Sequence, residues 1–189
     1  MLLQILTQHP EAIRSIVGRT PTWVWGLFAG LMVLGASQLR DRTASLARVS
    51  LLPIAMTAFS VWGTFSAFGN SRVLVEAVAL WFLAAVLAFF VVARGRANAT
   101  FDPVQRTYAL PGSAVPLLLI AGIFVVKYWV GVELAMAPNL VQDPQYALTV
   151  TALYGAFTGI FVGRAMRLWR LAMHQQATSA LGAKQAWSR

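Results

Sequence analysis

The chain contains no cysteine among its 189 residues. Without thiols it has no disulfide bonds, thiolate zinc sites, iron–sulfur clusters or thiol catalysis. It has only two histidines, His9 and His174, and neither lies in an apolar segment. A haem held within membrane helices needs histidine ligands there. The sequence therefore predicts a protein without a cofactor and without a metal.

Charged residues are also scarce. They make up 11% of the chain, whereas 58% of it is hydrophobic. A soluble domain is about a quarter charged, so a soluble globular enzyme is excluded, and the apolar content excludes disorder. In a soluble protein the net charge of +9 would indicate nucleic-acid binding. Here the basic residues lie between apolar segments, which favours a role in membrane orientation and no nucleic-acid partner.

Five apolar segments are long enough for membrane helices, which need about 20 mostly apolar residues. Their approximate bounds are Thr22–Leu39, Val49–Phe68, Val73–Ala93, Ala114–Val132 and Tyr146–Gly163. None shows the apolar–polar alternation of a barrel strand. The predicted fold class is all-α, an integral membrane bundle of five transmembrane helices with a short amphipathic N-terminal helix. The predicted domains are an interfacial segment at 1–21, the five-span domain at 22–173 and a polar cytoplasmic tail at 174–189.

The lysines and arginines are distributed unevenly between the two ends of these segments. Loops 40–48 and 94–113, together with the C-terminal part from Arg164, carry eleven of them, and the opposite side carries three. Basic residues concentrate on the cytoplasmic side of a membrane. We therefore expect a bacterial inner-membrane protein with a periplasmic N-terminus and a cytoplasmic C-terminus.

Glycines recur at intervals of four on two of the segments. Gly155, Gly159 and Gly163 form a series on the fifth, and Gly26 and Gly30 repeat the spacing on the first. Residues four apart share one helix face, and glycines there let another helix approach closely. The protein is expected to contact the lipid bilayer, and the glycine faces are expected to contact another helix. That helix belongs to the same chain, to a second copy or to another membrane protein. This pattern favours a structural or accessory membrane component that acts through helix packing.

Lys127 lies inside the fourth segment, where placing a charged side chain in the membrane costs free energy. A charged residue in such a position is by default a candidate for a functional site. If that segment ends at Val132, Lys127 is about 7 Å from the outer face. Glu76 has a similar depth on the third segment, and Glu133 is a competing partner at the water boundary. Lys127 and Glu76 would form a structural ion pair or line a polar vestibule. The alternative function is a small-solute or ion transporter or channel that uses these two residues.

The sequence offers no catalytic constellation within the apolar segments. Intramembrane hydrolysis would need a serine–histidine pair or two aspartates, and neither histidine nor aspartate occurs there. The chain is therefore predicted not to be an enzyme. Arg164, Arg167 and Arg170 follow the fifth segment on a continuing helix, and we expect them to contact anionic lipid. A role in setting the topology is the other interpretation of these arginines.

Several short motifs resemble those of a known family. They are Thr20-Pro21-Thr22-Trp23-Val24-Trp25, Pro111-Gly112-Ser113 before Pro116-Leu117, Gly122-Ile123-Phe124, Lys127-Tyr128, Gly131, Tyr154-Gly155, Gly159-Ile160-Phe161 and Gly163-Arg164-Ala165. Across residues 20–171 the chain is similar to an uncharacterised proteobacterial family of small multi-pass inner-membrane proteins. The resemblance implies a membrane location and supplies no activity or catalytic residue.

Overall fold

The computed structural model describes residues 16–69 and 71–187, and the side chains of Leu52 and of residues 177–187 are outside that description. The chain is 78% helical. Its long helices are α1 (Thr22–Ala36), α2 (Leu46–Phe68), α3 (Leu74–Ala93), α4 (Val115–Met136) and α5 (Pro144–Trp187). The prediction of a mainly helical chain is confirmed.

All five helices are long enough and apolar enough to cross a membrane. Their ends follow local signals in the sequence. The Ser45 hydroxyl caps α2 by accepting a hydrogen bond from the Arg48 N–H, and Pro116 lies in the first turn of α4, where the missing N–H costs nothing. A 3-10 turn, Ser37–Leu39, continues α1 to the predicted end of its segment. Of the predicted N-terminal helix, residues 1–15 lie outside the described residues, and residues 16–19 are helical.

A three-stranded antiparallel sheet corrects the all-helical prediction. Its strands are β1 (Arg42–Ser45), β2 (Thr100–Asp102) and β3 (Thr107–Leu110), in the order β1-β3-β2. Tyr108 of the central strand faces Ala44 on one side and Phe101 on the other. These strands fall within the two segments that the sequence indicated as basic loops. They have only three or four residues each, too few for the alternation that marks a strand.

The described chain forms two compact units. In the first, α1 and α4 pack antiparallel. The Thr20 and Tyr128 hydroxyls share a hydrogen bond of 2.7 Å at one end, and the Phe28 and Phe124 rings are 4.5 Å apart in the middle. This unit also contains the 3-10 turns Ser37–Leu39 and Pro138–Gln142.

The second unit contains α2, α3, α5 and the sheet. The helix α5 packs along α3 and also contacts α2. It continues without a break through Trp187, so the segment predicted as a polar tail is helical as far as that residue. The sheet packs on this extension, where Phe101 and Tyr108 form a buried cluster with Ala172.

Candidate functional site

The glycine series of α5 lies directly against α3 within the second unit. Gly155, Gly159 and Gly163 are all buried. A Cβ atom on Gly155 would overlap the carbonyl oxygen of Trp81 and lie 2.9 Å from its carbonyl carbon. A Cβ on Gly159 would overlap the carbonyl oxygen of Ala85, because the two helix backbones are already in contact. Three glycines at a spacing of four therefore let α5 lie on the α3 backbone.

The glycines of α1 have different surroundings. Among the described residues, no heavy atom lies within 4 Å of a Cβ built on Gly26 or Gly30. The glycine of α1 that contacts α4 is Gly35, whose added Cβ would lie 2.6 Å from Leu117 Cδ1. Gly35 stands outside the Gly26–Gly30 spacing, and no periodic signal in the sequence identified it.

A hydrogen-bonded cluster joins the three helices of the second unit. The indole N–H of Trp81 on α3 donates to the Ser60 hydroxyl on α2 over 3.0 Å. Ser60 in turn donates to the carbonyl oxygen of Tyr154 on α5 over 3.2 Å. The Thr158 hydroxyl donates to the same carbonyl at 2.9 Å. Ser60 is 7% exposed, so this cluster is buried among the helices.

Four threonine hydroxyls of α2 and α5 bond to the backbone of their own helix. Thr57 donates to the Pro53 carbonyl at 2.7 Å, and Thr64 donates to the Ser60 carbonyl at 3.0 Å. On α5, Thr149 donates to Gln145 and Thr151 to Ala147. Serine and threonine commonly satisfy themselves in this way inside helices. These four hydroxyls, like those of Ser60 and Thr158, are therefore engaged in helix structure.

Lys127 stands near the middle of α4. The helix continues to Met136, past the predicted end at Val132. At 1.5 Å per residue, Lys127 is about 18 Å from the start of the helix and about 14 Å from its end. It is half-buried, on the same side of the helix as the buried residues Ile120 and Val130. The lysine is thus deeper along its helix than the predicted 7 Å.

The two glutamates have separate positions. Glu76 is exposed in the first turn of α3, where the positive end of the helix dipole stabilises a carboxylate. It belongs to the second unit, whereas Lys127 belongs to the first, and the pairing of these residues stays a prediction. Glu133 lies on α4 six residues after Lys127. Six residues correspond to about 240° of helix rotation, so the two residues point from different faces of α4.

Two of the three predicted lipid-binding arginines hold the C-terminus of α3. The Arg167 Nε–H donates to the Val92 carbonyl, and Arg170 donates to the Ala93 carbonyl at 3.1 Å. The last carbonyls of a helix lack intrahelical partners and carry its negative dipole end, so guanidinium groups are stabilised there. Arg164 is half-buried one turn earlier on α5. Contact of these arginines with anionic lipid stays a prediction.

Tyr108 anchors the sheet on the α5 extension. Its side chain is fully buried, and its hydroxyl donates to the Leu168 carbonyl at 2.9 Å. Burial disfavours the phenolate and raises the pKa of Tyr108. The Phe101 N–H also donates to the Gln175 side chain at 3.2 Å. Tyr108 and Phe101 flank the turn signal Asp102-Pro103, which was the available sequence sign of this hairpin.

The described residues contain no group of three histidine, aspartate or glutamate side chains arranged to hold a metal ion. What the geometry offers is close helix packing, an internal hydrogen-bonded cluster and a small sheet packed on α5. These features describe a helical protein whose five long apolar helices are suited to a membrane.

Comparison with known families agrees with this class of protein. Residues 1–179 match a family of unknown function, DUF6622, and the chain belongs to that family. The predicted resemblance to a family without a known activity is confirmed to that extent. Neither the curated proteins nor the solved structures give a significant match.

Proposed function

We propose that the protein is a five-span component of the bacterial inner membrane, with a periplasmic N-terminus and a cytoplasmic C-terminus, and that its role is structural or accessory. The observation that carries this proposal is the contact of Gly155 and Gly159 with the α3 backbone. Backbones in contact leave no space between α3 and α5 for a solute. Dispersion between closely packed helices is what holds helices together in lipid.

The hydroxyls give independent support. A path for a polar solute needs polar groups at mid-depth that can replace the solute's water. In the second unit Ser60, Thr64 and Thr158 are instead bonded to helix backbones or to Trp81. They strengthen the packing of three helices and are at most 7% exposed.

The face of α1 that carries Gly26 and Gly30 is the surface through which such a component would contact a partner helix. Gly26 and Gly30 share a face with Trp23 and Val33, which are 67% and 70% exposed. A second copy of the chain would place its own α1 on this face, since two-fold pairing is the commonest form of self-association. The glycines of α1 would then allow close helix contact between two chains, as Gly155 and Gly159 allow it within one chain.

Disulfide cross-linking in membranes tests this role, because the natural chain has no cysteine. A Gly30→Cys variant is expected to form a covalent dimer under mild oxidation. Met32→Cys is the matched control, because Met32 shares the side of α1 that carries Phe28 and Gly35 and faces α4. A dimer with Met32→Cys as abundant as that with Gly30→Cys, or no dimer with either, would contradict self-association through this face.

A transporter or channel is the second candidate, and the position of Lys127 favours it. A charged residue near the middle of a 22-residue helix, on its buried side, is unusual in a membrane. Proteoliposomes with the natural chain or with Lys127→Met separate the two functions. Ion leakage that requires Lys127 would support transport, whereas equal and low leakage in both would support the structural role.

A further inference from the structure

The last turn of α3 marks one boundary of the apolar layer. This helix has 20 residues, Leu74–Ala93, and its length of about 30 Å matches the hydrocarbon core of a bilayer. Gly163 of α5 lies against that turn, because a Cβ built on it would be 3.0 Å from the Val92 Cβ. Arg164, the next residue of α5, therefore lies within about one helical turn of the boundary.

Arg164 differs from the two arginines that follow it on α5. Its side chain is half-buried, and no described residue forms a hydrogen bond or an ion pair with it. The positive charge of Arg167 lies close to it, and Arg167 is held at the Val92 carbonyl. Like charges repel each other more strongly where water is partly excluded. An anion beside Arg164 would offset this repulsion and accept hydrogen bonds from its guanidinium group.

The turns of α5 that precede Arg164 carry an outward apolar strip. We call the apolar strip the residues Leu153, Phe157 and Ile160. With Arg164 they are spaced by four, three and four positions, so all four residues share one face of the helix. Leu153 is 42% exposed, and the other two are half-buried. Leu153 lies about 160° around α5 from Gly155, which contacts α3. The strip therefore faces away from α3.

The apolar strip and Arg164 together match the dimensions of one phospholipid. Eleven positions separate Leu153 from Arg164, which corresponds to about 16 Å along the helix axis. One leaflet contributes about 15 Å to the hydrocarbon core. An acyl chain that lies along the strip would thus bring its phosphate group to the level of Arg164. Arginine suits phosphate because its planar guanidinium donates two parallel hydrogen bonds.

We propose that Arg164 binds the phosphate group of an anionic phospholipid whose acyl chain lies along the apolar strip. This inference rests on the proposed insertion of the helices in a membrane. An anionic lipid is favoured because its headgroup brings no further cation next to Arg164 and Arg167. Of the three arginines that the sequence indicated for lipid, Arg167 and Arg170 are engaged at the end of α3. The phosphate contact is therefore assigned to Arg164 alone.

Native mass spectrometry of the natural chain in neutral detergent tests the binding without any variant. It counts the lipids bound to each chain and also reveals dimers. The chain is titrated with phosphatidylglycerol or with phosphatidylcholine under the same conditions. We expect a complex with one lipid per chain that forms at lower concentrations of phosphatidylglycerol. Equal binding of the two lipids would overturn the proposal.

Two variants with the same loss of charge then locate the site. Arg164→Gln should weaken phosphatidylglycerol binding about tenfold, because a charge-assisted hydrogen bond is lost. Arg164→Lys keeps the charge without the planar guanidinium and should give a smaller loss. Arg94→Gln is the matched control, since Arg94 is exposed at the C-cap of α3 and lies at the same boundary. Equal losses in Arg164→Gln and Arg94→Gln would contradict a site at Arg164 and indicate a general effect of charge.

Two further outcomes would identify a different occupant of this face. Excess inorganic phosphate is expected to leave bound phosphatidylglycerol in place, and its displacement would reassign Arg164 to a free anion. A lipid-free dimer of the natural chain that disappears in Arg164→Gln would assign the face to a second copy. Either result would overturn the lipid proposal.

The same preparation separates this inference from the proposed function. If the helices are not inserted in a membrane, the chain is found outside the membrane fraction of the cells, and the proposed function fails. A chain that is extracted from the membrane fraction and shows no preference for phosphatidylglycerol would contradict the lipid site alone. The titration is done in detergent, so its result does not depend on the orientation of the chain in a membrane.

Discussion

The indole nitrogen of Trp81 lies 3.0 Å from the Ser60 hydroxyl, and the carbonyl oxygen of the same Trp81 contacts Gly155. One residue of α3 is therefore held by α2 through its side chain and by α5 through its backbone. We expect the two contacts to depend on each other, because both fix the position of Trp81 between α2 and α5.

Loss of the Ser60 hydroxyl should expose this dependence. Ser60→Ala leaves the Trp81 N–H without its partner, and we expect a loss of about 1–3 kcal/mol in stability. With Trp81→Phe in the same chain, the second substitution should cost less than it does alone. Thr57→Val is the control, since Thr57 bonds only within α2. Thermal unfolding in detergent compares the natural chain with these four variants, and strictly additive losses from Ser60→Ala and Trp81→Phe would contradict the coupling.

Alanine at Gly155 should destabilise the protein. The added methyl group would meet the Trp81 backbone, which cannot move as a side chain can, so we expect a cost of about 1–3 kcal/mol. Gly159→Leu should cost more. Gly131→Ala is the matched control, because no atom of the described chain lies within 4 Å of its added Cβ. In the control, alanine should be neutral or slightly stabilising through its helix propensity.

Thermal unfolding of these three variants decides whether α5 depends on glycine at this contact. A Gly155→Ala variant as stable as Gly131→Ala would show that α3 and α5 can separate without loss. The sequence identified the glycine series but not its partner. The sequence therefore did not show whether an alanine methyl group would fit at Gly155. The position of the Trp81 carbonyl oxygen shows that this space is already occupied.

Helix positions were largely predictable from the sequence, and strand positions were not. Hydrophobic length located the starts of all five helices to within a few residues, and α3 ends at Ala93 as expected. The helix α5, in contrast, continues far beyond the predicted end of its apolar segment at Gly163. The sheet was missed because β1 pairs with β3 across more than 60 residues of chain. Three or four residues such as Arg42–Ser45 carry no periodic signal, and their pairing is decided by tertiary packing.

The proposed Lys127–Glu76 pair came from the sequence and is tested by a double-mutant cycle. Lys127→Met and Glu76→Gln should each lower thermal stability in nanodiscs if the charges pair. The double variant should recover part of the loss, because breaking a buried pair costs more than replacing both members. Losses that simply add would exclude the pair and leave Lys127 as a separate charged group of α4.

The attachment of the sheet should depend on pH in the alkaline range. The folded state raises the pKa of Tyr108 above its unfolded value of about 10. The neutral phenol thus contributes stability that is fully present below about pH 10 and is lost as pH rises through the folded pKa. Thermal unfolding across this range should show a smaller alkaline loss for Tyr108→Phe. Parallel curves for the two chains would contradict a role for the buried phenol.

The most direct test of the account is the sidedness of single cysteines in intact cells. Asn139, Thr43 and Asn98 are all exposed, so a thiol reagent can reach each of them from its own side of the membrane. With a membrane-impermeant reagent we expect labelling of Asn139→Cys, in the turn after α4. We expect no labelling of Thr43→Cys, in β1, or of Asn98→Cys, just before β2. After the cells are opened, the last two should label as well. Labelling of Thr43→Cys or Asn98→Cys in intact cells, with Asn139→Cys protected, would contradict the proposed orientation.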